Sequence, residues 1–74
     1  MKEFKRVTIT VGEGLGKTDY IFTKWEKYGK ARVYVSYRGK RECGYIDLNN
    51  GSDHTDNNEF VKEAVKKFRR EYMG

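Results

Sequence analysis

The sequence predicts an α+β fold: a small antiparallel sheet of about four strands, or one that partly closes into a barrel, with one C-terminal amphipathic helix. Three observations predict it. Apolar and polar residues alternate in several runs between positions 4 and 48, glycine-bearing turns separate those runs, and the last third of the chain switches to a helical stripe. With 74 residues, the chain forms one domain over 1–74, the sheet in 4–48 and the helix in 56–72. A domain of this size buries only roughly 60–65% of its unfolded surface, so each large apolar residue matters for stability.

Residues 4–11 (FKRVTITV) form the first expected strand, with Val7, Ile9 and Val11 on one side and Arg6, Thr8 and Thr10 on the other. Gly12 to Thr18 (GEGLGKT) is a loop by its glycines. Residues 19–26 (DYIFTKWE) are rich in aromatic and β-branched types, which suit a second strand pairing with the first. Lys27 to Lys30 is a turn. Residues 31–38 give the clearest alternation: Ala31, Val33, Val35 and Tyr37 against Arg32, Tyr34, Ser36 and Arg38. After a turn at Gly39, residues 41–48 return, with Ile46 and Leu48 on one side and Arg41, Cys43, Tyr45 and Asp47 on the other. Gly44 within that run predicts a bulge or a close backbone approach.

Asn49-Asn50-Gly51 stops the strand, and Ser52 to Thr55 is a polar linker. Asp56 is the expected helix N-cap, with Glu59 three residues on as its capping-box partner. Phe60, Val61, Ala64, Val65, Phe68 and Tyr72 then form one apolar stripe, and Phe60, Val61, Val65 and Phe68 are expected in the core. Bases gather late in the helix, where its dipole favours cations.

Charge is unevenly distributed. Residues 1–52 carry eleven bases and six acids, whereas residues 53–74 carry five of each. Between Lys24 and Arg41 seven Lys or Arg face a single acid, Glu26, in a chain with a net charge of +5. Such a concentration implies attraction to a polyanion. The stretch from Trp25 to Gly51 also holds the only Trp and four of the six Tyr. Cations neutralise phosphates and aromatic planes stack on bases, so interleaved Arg and Tyr on a sheet face suit nucleic acid. The expected contact residues are Lys24, Trp25, Arg32, Tyr34, Arg38, Lys40, Arg41 and Tyr45. The expected partner is DNA, or RNA. An acidic protein surface is the alternative, met by a protein–protein module or a small inhibitor from a phage or other mobile element.

Other chemistry finds less support. Gly16-Lys17-Thr18 matches the end of a P-loop, but Val11 stands where its first glycine belongs and the sequence after it is strand-like. A G-x-G-x-x-G reading fails at Lys17. Asp47, Asp53, His54, Asp56 and Glu59 have neither EF-hand nor zinc spacing. A Cys43–His54 nucleophile–base pair lacks a local orienting group or oxyanion hole. The chain is therefore expected to be no enzyme and to need no cofactor, metal or small-molecule substrate. A single cysteine fits a reducing compartment, and neither a membrane-length apolar run nor a signal-peptide core occurs. A cytoplasmic protein of a prokaryote or its virus is expected.

The run Trp25-Glu-Lys-Tyr28-Gly29-Lys30-Ala-Arg32-Val-Tyr34-Val35, then Gly39-Lys40, then Gly44-Tyr45-Ile-Asp47-Leu48 and Gly51, resembles a short accessory module of nuclease-related-domain (NERD-type) proteins. The likeness covers about half the chain and implies a setting in DNA transactions, without cleavage by these residues. The layout of hairpins and terminal helix is also similar to arm-type DNA-binding domains of tyrosine recombinases and to small archaeal chromatin proteins.

Overall fold

A computed structural model describes residues 3–74. Five strands, β1 (Arg6–Val11), β2 (Thr18–Lys27), β3 (Lys30–Tyr37), β4 (Arg41–Asp47) and β5 (Asp53–Thr55), precede one helix, α1 (Glu59–Phe68). The strands pair antiparallel in chain order, β1-β2-β3-β4-β5. The sheet is open, with β1 and β5 as its edges, so the partly closed barrel does not form. The chain ends in a wider, π-type turn over Arg69–Met73. No helix among the described residues is long and apolar enough to cross a membrane.

Strand alternation gives the sheet two different faces. Register sets Val7 opposite Phe22, Phe22 opposite Val35, and Val33 opposite Ile46. These side chains point toward α1, which contributes Val61, Ala64, Val65 and Phe68. Phe68 is fully buried and stacks on Phe22 at 4.6 Å between ring centroids, with Phe4 and Tyr72 each 5.2 Å away. Lys67 Nζ donates to Thr10 O, and the Arg69 guanidinium holds both Asp53 and Gly51 O, so α1 is tied to β1, and the turn after α1 to the β5 side. One face of the sheet is covered and the other is left open.

Several local expectations need correction. The polar linker contains β5, whose three residues pair with Gly44, Tyr45 and Ile46. The helix is capped by Asn58, whose Oδ1 accepts from the Phe60 and Val61 N–H groups. Asp56 lies two residues before that cap, where its N–H still pairs with Cys43 O of β4 and so extends the sheet. Phe60 is not core: it stands 47% exposed just inside the N-terminus of α1.

The β3–β4 pairing shifts between Val35 and Ser36, and Gly44 lies at that bulge with φ +113°. One extra residue on β4 reverses the alternation. Cys43 consequently turns into the core beside Ile46, while Tyr45 and Asp47 stay on the open face. Arg41, opposite Tyr37, leaves the face of Tyr45 for the same reason.

Candidate nucleic-acid interface

The open face carries a band of rings across four strands. Trp25 on β2 meets Tyr34 on β3 edge-on, with centroids 6.3 Å apart. Tyr34 lies directly opposite Tyr45 on β4, at 5.8 Å. Tyr45 in turn stacks on His54 of β5, at 4.8 Å and 20° between planes. Cross-strand register creates this order, since alternate residues on neighbouring strands come to the same level of the pleat.

Arg32 fixes the middle of the band. Its guanidinium carbon sits 4.3 Å from the Tyr45 ring centroid, and its Nη1 donates to the Tyr34 hydroxyl at 3.3 Å. That hydrogen bond holds the guanidinium pKa above its ordinary value. It lies between Trp25 on one neighbouring strand and Asp47 on the other. At the far end of the band, Ser52 has one hydroxyl proton and gives it to Asn50 Oδ1 at 2.6 Å. His54 Nε2, 2.9 Å from the Ser52 oxygen, is therefore the donor in that contact.

The structure divides the eight expected contact residues. It brings Trp25, Arg32, Tyr34 and Tyr45 together. Lys24 belongs to the opposite face: it pairs across from Val33, bridges Glu26 at 3.0 Å and lies over the Phe4 ring. Adjacent strand residues point apart, so Trp25 and Lys24 cannot share a surface. Arg38 and Lys40 occupy the β3–β4 turn, with the Arg38 guanidinium over Tyr37. Arg41 faces Asp56 at 3.6 Å. Those four cations are not part of the band.

Two others replace them. Lys27 and Lys30 pair with each other at the end of the β2–β3 hairpin, on the face of Trp25 and Arg32 by alternation, and both are exposed. With Arg32 they give three cations at this end, against Asp47. Alternation alone marks them in the sequence. His54 was also missed, because its ring enters the band only through β5.

The remaining constellations disperse. Cys43 lies in the core and His54 on the open face, so they do not meet. Burial pushes the Cys43 thiol pKa up, which keeps it protonated. No group of three metal-ligating side chains converges among the described residues. The loop after β1 makes one short turn at Gly14–Gly16 and then enters a strand, not the helix a P-loop requires.

Fold and site together define an open-faced α+β module: a five-stranded meander with a helix on one side and an aromatic, basic band on the other. Comparison of the chain with family models, curated proteins and solved structures gives no match.

Proposed function

We propose that this protein is a non-enzymatic module that binds nucleic acid through the open face of its sheet, and that unpaired bases are its preferred target. The observation that carries the reading is the continuous Trp25–Tyr34–Tyr45–His54 band on an uncovered sheet, with Arg32 stacked inside it. Every base presents a π face, and each base–aromatic stack contributes about 1–3 kcal/mol. Bases in a duplex are already stacked on one another, so a broad row of rings favours single strands. Lys27, Lys30 and Arg32 supply cations for the phosphates beside those bases.

The test is anisotropy of a labelled single-stranded oligothymidylate, with a duplex for comparison. Removing two rings in Tyr34→Ala/Tyr45→Ala should weaken single-strand binding thirtyfold or more, from about 2 kcal/mol at the low end of the stacking range. A folded double variant with wild-type affinity would rule the band out. Three phosphate contacts predict a slope near −2 in log K against log salt for a single strand. Lys27→Gln/Lys30→Gln should flatten it to about −0.7.

A second reading, docking of an acidic protein surface, draws on the same residues. Trp, Tyr and Arg dominate protein interfaces, and Asp47 opposite Arg32 tempers the positive charge. No oligonucleotide binding at low salt, together with a stoichiometric partner in nuclease-treated lysate, would favour it.

A further inference from the structure

On the covered side of the sheet, the glycine loop, the β3–β4 turn and the start of α1 surround a cleft of about 380 Å³. That volume falls within the usual range for small-molecule sites, roughly 300–1,000 Å³. Its walls include Tyr20, Tyr37 and Val61, and the buried Cys43 lies among the residues that line it. Leu15 and Phe60 line it too, and they are two of only three exposed large apolar side chains among the described residues. A bound molecule would cover both.

Polar groups converge on the same space. Lys17, Arg38 and Arg41 line it against one acid, Asp56, leaving two positive charges in excess. Thr18 lines the cleft too, but its hydroxyl is sealed from solvent. Apolar walls with a few convergent polar groups are the usual makeup of a ligand pocket.

We infer that this cleft binds a small amphipathic anion, an aromatic or branched apolar body carrying a carboxylate, sulfonate or phosphate. The apolar body sits between Leu15, Phe60 and Tyr37, and the anionic group meets Arg38 and Arg41. Such a ligand departs from the sequence expectation of no small-molecule site. It is independent of the aromatic band, which lies on the other face.

The probe is 8-anilinonaphthalene-1-sulfonate, with neutral N-phenyl-1-naphthylamine as its uncharged counterpart. The sulfonate should bind with one-to-one stoichiometry and shift the amide resonances of Leu15, Thr18, Tyr37 and Val61, leaving Trp25 and Tyr34 unmoved. In Arg38→Gln/Arg41→Gln its affinity should fall at least tenfold, while that of the neutral probe changes less than twofold. Resonance shifts centred on the aromatic band, an equal effect on both probes, or no sulfonate binding at millimolar concentration would overturn the assignment. The resonance map of the unmodified chain decides the location even if the double variant fails to fold.

Discussion

Substituting Gly44 by alanine should be one of the most damaging single-methyl additions in this domain. A Cβ there would fall inside contact distance of the His54 carbonyl oxygen, 2.7 Å from Thr55 Cα and 3.0 Å from the His54 carbonyl carbon. These are backbone atoms of β5, so no side-chain rotation relieves the clash. The φ of +113° adds strain of about 1–3 kcal/mol for any residue with a side chain. Moving β5 away also loosens Asp47 N–H to Ser52 O and Asp56 N–H to Cys43 O, each now 2.9 Å, at about 0.5–1.5 kcal/mol apiece. The sum is about 2–6 kcal/mol, against a total stability of roughly 4–11 kcal/mol for a chain of this length. A loss of about 3 kcal/mol would lower the Tm by at least about 12 °C. Gly51→Ala is the control, because Gly51 has φ +77° but open space around its Cβ position, so it carries strain without collision. Urea unfolding of both variants, with the rate of Cys43 labelling by a thiol reagent, reads the result. Gly44→Ala should lose clearly more stability than Gly51→Ala and label faster. Equal losses, with Cys43 still protected, would refute the bulge as the device that sorts Cys43 inward and Tyr45 outward.

Three further outcomes follow from the packing. Asn58→Ala should cost about 1 kcal/mol in urea unfolding through loss of the helix cap, whereas Asp56→Ala, losing an exposed pair with Arg41, should stay within about 0.5 kcal/mol. Phe68→Ala should cost about 3–5 kcal/mol, because it vacates the space between Phe22, Phe4 and Tyr72. Stability should also fall on the alkaline side. Burial raises the pKa of Cys43 and of Tyr20 in the fold, so the unfolded chain releases those protons first. The thiol's contribution is complete below its ordinary value of about 8.5 and the phenol's below about 10, and each is lost as pH rises past that value. Cys43→Ala should flatten the first part of that decline in thermal unfolding from pH 8 to 10.

The sheet and helix were legible because alternation and the helical stripe are strong signals in β1 to β4 and α1. Strand β5 was not, since Asp53-His54-Thr55 is a short, polar edge that pairs with β4 alone among the described strands. Gly44 announced a bulge, but its consequence for side-chain parity becomes definite only once the extra residue is located opposite Val35 and Ser36. Asp56 and Asn58 are equally good caps as residue types, and the choice follows from where the chain leaves β4, since Asp56 N–H still pairs with Cys43 O and α1 starts only at Glu59. The candidate site shows the same division. Trp25, Arg32, Tyr34 and Tyr45 were readable from alternation. Lys24 adjoins them in the chain, but neighbouring strand residues point apart, so it lies on the face opposite Trp25. The cleft was beyond reach, because it is assembled from segments that meet only in three dimensions.

The most direct measurement is the emission of Trp25, the only Trp, during titration with single-stranded oligothymidylate at two salt concentrations. The band predicts saturable quenching, because the indole is half-buried at the end of the row where bases would stack. It also predicts weaker binding at the higher salt and a smaller response to duplex. Emission that does not change at low salt, with no anisotropy change for the labelled strand, would contradict nucleic-acid binding by this face.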